Sequence, residues 1–249
     1  MSQALIRLLQ LSDPGLPIGG YAHSGGLETY VQMSLVSNRA TADNYIRQML
    51  AKNLYYTDAA LVALSYKAMR TGEGDRLLEL DQLCEAVKLP KETRQASQKL
   101  GLRLLKIFMG GMVCSGKEEK AAGGEGGLFE EAIIGRAARQ YYASVQARDT
   151  PGHYSIAFGV CAATLGIGLR EALTGLYYNA AAGMVTNCVK LVPLGQQDGQ
   201  ELLFSLQPLI GELVEGSMEP DRESIGFCCP GFDIRCMQHE HLYSRLYMS

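Results

Sequence analysis

The sequence predicts an all-α protein, a single-domain bundle of about nine or ten helices. Apolar residues recur at intervals of three and four along most of the chain. Few stretches alternate strictly between apolar and polar residues or are rich in β-branched residues, as strands would be. Clusters of Pro and Gly at 12–15 and 149–152 end the periodic segments. No repeat or linker divides the 249 residues, so we expect one domain over 1–249.

The N-terminal half contains four predicted helices. A short helix ends at the turn 12–15, and a Gly-rich loop follows it. Thr41 is a plausible N-cap for one long or slightly broken helix that ends near residue 71. Two further helices are expected over 75–87 and 90–109, separated where Pro90 stops the first.

The middle of the chain predicts a polar loop followed by helices rich in small residues. Residues 115–127 are mainly Gly, Lys and Glu, which predicts a flexible surface loop. A helix over 128–145 follows it, and two more are expected over 156–165 and 173–189. The last two are too polar for membrane spans, and their Gly and Ala residues favour close helix packing in a core.

Proline and glycine predict helix breaks and irregular segments in the C-terminal region. Pro208 is expected to kink or split a helix over 202–213, because it removes a backbone donor. Residues 217–232 look irregular, and the tail from about 225 is expected to become ordered on a partner. A last short helix is predicted to carry four apolar residues, Ile234, Met237, Leu242 and Leu246.

Composition limits the classes of partner and compartment. The formal charge of −3 gives no excess of positive charge for nucleic acid or an anionic membrane surface. Seven scattered cysteines, with no secretory signal before them, favour a reducing cytoplasm.

No motif of the sequence predicts catalysis, and no cofactor is expected. Gly111, Gly116 and Lys117 match most of a P-loop, but Glu118 stands where the motif needs Ser or Thr. Ser24 follows His23 in the Gly-rich loop, yet the flanking sequence is not a nucleophile elbow. A non-enzymatic interaction protein therefore fits the residues better than an enzyme.

A stand-alone metal-binding protein is the alternative function. Its candidate ligands are Cys228, Cys229, Cys236 and His239. Only Cys236 and His239 show a spacing that a turn or helix could aim at one ion, so the cluster is not a standard zinc site.

Four segments resemble the family of the urease accessory protein UreF. They are LLQLSDPGLPIGGYAHSGGLETYV at 8–31, YYASVQARDTPGHYSIAFGVCAATLGIGL at 141–169, NCVKLVPLGQQDGQELLFSLQP at 187–208 and MQHEHLYSRLYMS at 237–249. The resemblance implies an all-helical chaperone, and a scaffold that joins UreD (UreH in some species) and the GTPase UreG. It further implies nickel insertion into apo-urease and a homodimer within the complex.

The resemblance also implies the residues that contact partners. They are Tyr21, His23, Lys190, Gln196, Tyr243 and Arg245. Lys190 matches the family's UreG-facing surface, and Tyr21 and Arg245 match positions implicated in assembly. From the residues alone, Lys190 would be a cation at a helix C-terminus and Arg245 a solvated charge.

Overall fold

The computed structural model describes residues 3–115, 125–227 and 229–248, the side chains of 111–130 excepted, and every regular element in these ranges is helical. The predicted all-α class is confirmed. In chain order the α-helices are α1 Gln3–Leu11, α2 Leu27–Gln32, α3 Arg39–Gln48, α4 Ala60–Thr71, α5 Gly74–Val87, α6 Lys91–Ser115, α7 Glu125–Ala147, α8 Tyr154–Thr164, α9 Leu169–Leu191, α10 Gln196–Ser205, α11 Gln207–Ser217 and α12 Pro230–His239. A π-helix, Met49–Ala59, joins α3 to α4, and two 3₁₀ turns lie at Gly20–Ala22 and Arg222–Ser224.

Helix α8 lies at the centre of the fold and packs most extensively against α4 and α6. Every residue from Ser155 to Ala163 is buried, as expected for a helix that is apolar on all sides. Gly159 allows the closest approach to α4, because a Cβ there would overlap the Ser65 hydroxyl. Small residues therefore bring these helices together, as the sequence predicts.

A buried carboxylate accepts hydrogen bonds from the backbone that leads into α8. Asp81 of α5 is fully buried and accepts hydrogen bonds from the Thr150 hydroxyl at 2.7 Å and the backbone N–H of Gly152 at 2.6 Å and His153 at 2.8 Å. Helix α6 passes close to the same turn, since a Cβ at Gly101 would overlap the Gly152 carbonyl oxygen. Asp81 thus satisfies backbone donors at the start of α8 that have no partner within the helix.

The His153 ring completes this buried polar region, which we call the His153 centre and define as Asp81, Glu85, Ser97, Thr150 and His153. The ring Nε2 lies 2.8 Å from a Glu85 carboxylate oxygen and Nδ1 lies 3.1 Å from the Ser97 hydroxyl. Burial lowers the pKa of His153, although the Asp81 charge acts in the opposite direction. A neutral ring satisfies both contacts, because it donates to Glu85 and accepts from Ser97.

The long helical segment of the N-terminal half begins three residues earlier than predicted. The Asn38 side chain, not that of Thr41, is the N-cap of α3 and accepts from the Thr41 backbone N–H at 3.0 Å. The Thr41 hydroxyl accepts in return from the Asn38 N–H at 3.1 Å, which completes a capping box. The segment continues through the π-helix into α4, so it is one rod with a change of helical type.

Two other expectations concern breaks in helices. The helix splits at Leu206, as Pro208 predicts, with α10 ending at Ser205 and Pro208 lying in the first turn of α11. The predicted loop 115–127 lies largely outside the described residues, with Ser115 ending α6 and Glu125 beginning α7. Its flexibility stays a prediction.

The predicted terminal helix is wrong beyond residue 239. Helix α12 ends at His239, and Leu242 and Leu246 lie in the irregular segment that follows. The reason is a competing acceptor, because the backbone N–H groups of Leu246 and Tyr247 donate to the Glu28 carboxylate. A distant side chain thus takes the donors that a helix would have bonded internally. Ordering of this tail by a partner stays a prediction.

Among the described residues, no helix of the protein has the length and apolar content that a membrane span requires.

Candidate partner surface

The Gly-rich loop 19–26 has a fixed course over the surface of the bundle. Gly19 and Gly26 adopt φ angles of +90° and +80°, which favour glycine. The Arg103 guanidinium donates to the Ile18 carbonyl at 2.7 Å. The Asn187 side chain donates to the His23 carbonyl at 3.1 Å. Contacts from α6 and α9 therefore hold the loop from both ends.

The C-terminal tail, residues 240–248, runs against this loop and against α2. The Met248 N–H donates to the Ala22 carbonyl at 2.8 Å. The Gln32 side-chain amide donates to the Ser244 carbonyl at 2.9 Å. Tyr247 is buried, and the tail therefore lies on the body of the protein with one anchored side.

Glu28 is the main anchor of the tail. This α2 residue is 5% exposed. Its Oε1 accepts from the Leu246 N–H at 2.7 Å, and its Oε2 accepts from the Tyr247 N–H at 3.2 Å. The same Oε2 lies 3.2 Å from Nε2 of His239. Two backbone donors and the His239 ring thus converge on one buried carboxylate.

Glu92, at the start of α6, makes the second set of contacts. Its Oε2 lies 2.7 Å from Nδ1 of His239, and its Oε1 accepts from the Arg245 guanidinium at 2.8 Å. His239 is therefore held between two carboxylates from different helices. We call the four residues Glu28, Glu92, His239 and Arg245 the tail clasp.

The outward side of the tail carries large side chains that contact solvent. Tyr243 is fully exposed, and Leu246, Met248 and Tyr21 are 68%, 61% and 71% exposed. The bond between Met248 and Ala22 places Tyr21 beside the tail. We call these four residues the tail surface. Exposed apolar groups that sit together on a fixed backbone are typical of a protein interaction site.

The six predicted partner residues fall at two locations. Tyr21 and His23 lie in the loop, and Tyr243 and Arg245 lie in the tail that is bonded to it through Met248 and Ala22. Lys190 and Gln196 are exposed at the turn between α9 and α10, which we call the α9–α10 corner. Lys190 lies in the last turn of α9, where a cation complements the helix dipole.

His23 and Arg245 have environments that differ from simple solvent exposure. Burial lowers the pKa of His23, and the nearby charges of Lys99 and Arg103 lower it further, against an opposing effect of Glu92. Arg245 pairs with Glu92 of its own chain, while its side chain stays 40% exposed. Arg245 is thus not only a solvated charge, and the part that remains exposed is available to a partner.

The metal-binding alternative is not favoured by the described residues of its cluster. Both ring nitrogens of His239 face carboxylates at hydrogen-bond distance. Burial raises the pKa of the Cys236 thiol to about 12, which disfavours the thiolate that a metal requires. Cys229 lines a pocket with Asn53 and Thr57. Cys228 lies outside the described residues, and within those residues no group of three candidate ligands surrounds a common point.

The other two sequence motifs are the His23–Ser24 pair and the P-loop-like match. Ser24 is buried at 4% exposure, and the Gly116 and Lys117 positions of the P-loop-like match lie outside the described residues. A serine nucleophile needs a hydroxyl that substrate can reach, and the burial of Ser24 does not meet this requirement.

Glu28 and Glu92 were missed by reasoning from the sequence. The carboxylates of the chain look dispersed, because these two are 64 positions apart and meet only through His239 and the tail. One signal was available for Glu28, which is the lone charge between His23 and the end of α2. A charged residue in such a segment is buried only when it has partners.

Comparison with known proteins identifies the family. The UreF family model matches residues 36–207. The chain is 41% identical over 242 residues to a urease accessory protein UreF of Actinobacillus pleuropneumoniae serotype 5b, covering 97% of both chains. It is 42% identical to the Haemophilus influenzae (strain ATCC 51907) protein of that name, covering 97% of this chain and 94% of the relative. A Bacillus sp. (strain TB-90) relative is 31% identical, covering 98% and 99%.

The chain belongs to the UreF family. Membership implies a part in urease maturation and interaction within the urease accessory complex. The residues matched by the family model, 36–207, include Lys190 and Gln196 of the α9–α10 corner.

Proposed function

We propose that this chain is a non-enzymatic scaffold of urease maturation. It joins UreD/UreH to the GTPase UreG, as a homodimer within the complex, and supports GTP-dependent nickel insertion into apo-urease in the cytoplasm. The tail surface is the observation that supports this proposal most directly. Its large side chains are exposed while the backbone beneath them is anchored to Glu28.

The tail surface has the features of a site for UreD/UreH. Two tyrosines, a leucine and a methionine offer contact area at low cost in conformational entropy, because their backbone is already fixed. Residues of this type at the centre of an interface commonly contribute most of the binding energy. The neighbouring Arg245 adds a guanidinium that can bind a partner carboxylate.

The α9–α10 corner has different chemistry and suits the second partner. Lys190 is exposed at the end of α9, and Gln196 is exposed at the first position of α10. A polar, charged contact there steers association more than it adds buried apolar area. We assign this corner to UreG.

The experiment is capture of separately purified UreD/UreH and UreG by this chain and by single variants. Tyr243→Ala is expected to weaken capture of UreD/UreH by about tenfold or more, as removal of a central aromatic contact does. Lys190→Ala is expected to weaken capture of UreG and to leave UreD/UreH unchanged. The matched control is Phe204→Ala, since Phe204 of α10 is 70% exposed and lies outside the tail surface.

Each variant is measured beside its melting curve. Normal melting with selective loss of one partner supports the assignment of the two sites. Failure of the parent chain to capture either partner would overturn the proposed function itself, whatever the variants do.

A further inference from the structure

A pocket opens between the π-helix, the end of α5 and the start of α12. Its volume is about 220 Å³, and none of the residues assigned above to partner contact lines it. Pockets that bind cofactors or drug-sized molecules hold roughly 300–1,000 Å³. This pocket is smaller, so it has room for one large side chain and not for a cofactor.

The π-helix contributes an unsatisfied polar group to the pocket. Thr57 lines the pocket and is only 7% exposed. Within the described residues, its hydroxyl has no hydrogen-bond partner. Asn53, four positions earlier in the π-helix, also lines the pocket. A buried hydroxyl without a partner costs free energy, so a ligand that forms a hydrogen bond with Thr57 recovers that cost.

Asp233 determines the charge of the pocket. It lies in the first turn of α12, and among the described lining residues it is the charged one. Lys88 lies between two lining residues in the sequence, but its ammonium group is paired with Asp58 at 2.9 Å. A carboxylate can accept several hydrogen bonds at once, so Asp233 can bind a ligand in addition to its contacts within the chain. The pocket therefore favours a cation and repels an anion.

Apolar side chains on a fixed backbone form the rim of the pocket. Leu89 and Phe227 line it and are 50% and 67% exposed. The Gly226 N–H donates to the Tyr56 carbonyl at 2.9 Å, and the rings of Tyr56 and Phe227 lie 5.6 Å apart. A Cβ at Gly226 would overlap the Val87 side chain, so this segment packs closely on the end of α5. The rim thus offers a ligand an aromatic ring.

We propose that this pocket binds an arginine side chain of a partner protein. A guanidinium has five N–H donors, so it can pair with Asp233 and also donate to Thr57 and Asn53. Its planar group stacks on an aromatic ring such as that of Phe227 better than an ammonium does. Free arginine also carries a carboxylate, and none of the described lining residues is a cation that could pair with it. The arginine is therefore part of a protein.

The pocket is close to the tail clasp. Leu89 at its rim is three positions before Glu92, which accepts a hydrogen bond from Arg245. The Cα atoms of Leu89 and Glu92 are therefore at most about 11 Å apart. A standard protein interface covers about 800 Å² on each partner, so a partner on the tail surface can also reach the pocket. The arginine then belongs to UreD/UreH, and this choice of partner, unlike the pocket itself, rests on the proposed function.

The direct test is a titration of the full chain with small probes, followed through its backbone amide signals in NMR spectra. The probes are arginine, lysine and citrulline, each acetylated at the amino group and methylamidated at the carboxyl group, and free arginine. Citrulline has the shape of arginine without its charge. Capped arginine is expected to shift the signals of Asn53, Thr57 and Asp233 saturably, with a dissociation constant of roughly 1 mM for one isolated side chain. Capped citrulline should bind about tenfold more weakly, because it lacks the charge-assisted hydrogen bonds.

The other probes decide which group the pocket takes and where it comes from. Capped lysine should bind more weakly than capped arginine, and free arginine no more tightly than the capped form. Equal binding of capped citrulline, or no saturable shift at the pocket, would overturn the proposal. Equal binding of capped lysine would contradict the assignment to arginine. Tighter binding of free arginine would indicate a site for a small molecule and not for a partner side chain.

Substitutions of similar shape test the lining residues. Asp233→Asn is expected to weaken binding of capped arginine by about tenfold, and Thr57→Val by about threefold, since the first removes a charged acceptor and the second a neutral one. Glu223→Gln is the matched control, because Glu223 is exposed and lies outside the pocket. An equal loss in Glu223→Gln would contradict the site. Each variant is measured beside its melting curve, and if one fails to fold, the four probes on the parent chain still decide the question.

Capture of UreD/UreH separates this inference from the proposed function. Asp233→Asn is expected to weaken capture by about tenfold, and Glu223→Gln is expected to leave it unchanged. Equal capture by the parent and by Asp233→Asn would contradict the assignment of the arginine to UreD/UreH. If the parent chain captures no UreD/UreH, the proposed function fails, while the probe titration still tests the pocket.

Discussion

His153 and His239 are both fully buried, yet their rings contact different kinds of polar group. The His153 ring lies between a carboxylate and a hydroxyl, and the hydroxyl can donate to the ring. The His239 ring lies between two carboxylates. The His153 ring is thus held within one turn at the start of a core helix, whereas the His239 ring joins α2, α6 and α12.

The two regions also differ in what they hold. The His153 centre fixes the start of α8, which packs most extensively against α4 and α6. The tail clasp holds an irregular segment whose outer side chains contact solvent. Disruption of the first should therefore reduce the stability of the whole domain, and disruption of the second should release a segment locally.

The largest effect is expected for Asp81→Ala in the His153 centre. This change leaves the Thr150 hydroxyl and two backbone N–H groups without an acceptor in the core. We expect a loss of about 3–5 kcal/mol in the free energy of unfolding, the usual result of breaking a buried charged network. Urea unfolding measures it. Asp75→Ala on the same helix is the control, and an equal loss there would show that the burial of Asp81 is unimportant.

A smaller loss is expected for Gly101→Ala. The new Cβ would overlap the Gly152 carbonyl oxygen, so α6 or the turn before His153 must move. Overpacking of this kind costs about 1–3 kcal/mol of stability. Gly110→Ala on the same helix is the matched control, since a Cβ there meets nothing within 4 Å, and it should be neutral or stabilising by up to about 1 kcal/mol. Similar melting temperatures for the two variants would contradict the close approach.

The pH dependence of stability should report on the His153 centre. Burial lowers the pKa of His153 below its usual 6.5, so just below this pH the unfolded chain binds more protons than the native one. Global stability should therefore fall as pH falls below about 6.5, and His153 should have no effect above it. His153→Gln should remove this dependence, because an amide can donate to Glu85 and accept from Ser97. Urea unfolding at a series of pH values measures it, and an unchanged slope in the variant would assign the effect to other groups.

The smallest effect is expected for Gln32→Ala. This substitution removes one exposed hydrogen bond to the Ser244 carbonyl but leaves Glu28 and its donors in place. Global stability should change by no more than about 0.5 kcal/mol. Amide protection of Leu246 and Tyr247 should stay close to that of the parent. A large loss of protection would show that the exposed contact, and not the buried carboxylate, anchors the tail.

Much of the helical architecture is predictable because its cause is local. Periodicity, Gly and Pro define the rods, and the split at Pro208 follows from a missing backbone donor. The cap of α3 was misassigned by three residues because Asn38 and Thr41 both have side chains that cap helices, and they do so reciprocally.

The tail clasp was not predictable in the same way. Leu242 and Leu246 have helical spacing, but the competing acceptor is Glu28, more than two hundred positions earlier in the chain. The residue type of His239 allows it to be a metal ligand, which is why the sequence suggests that role. Its actual neighbours, Glu28 and Glu92, lie in other helices, and the sequence does not show that they are close. Partners that are fixed by tertiary packing leave no periodic signal in one sequence.

The π-helix Met49–Ala59 affects how the chain can tolerate insertions and deletions. Its backbone bonds close at five residues instead of four, so it contains more residues per turn than an α-helix. If one residue is deleted there, a π turn can tighten to an α turn. The same side of α4 then still packs against α8. The same deletion within α4 would rotate all later residues of that helix by roughly 100° and turn its buried side outward. Homologues that differ in length within this rod should therefore differ inside 49–59.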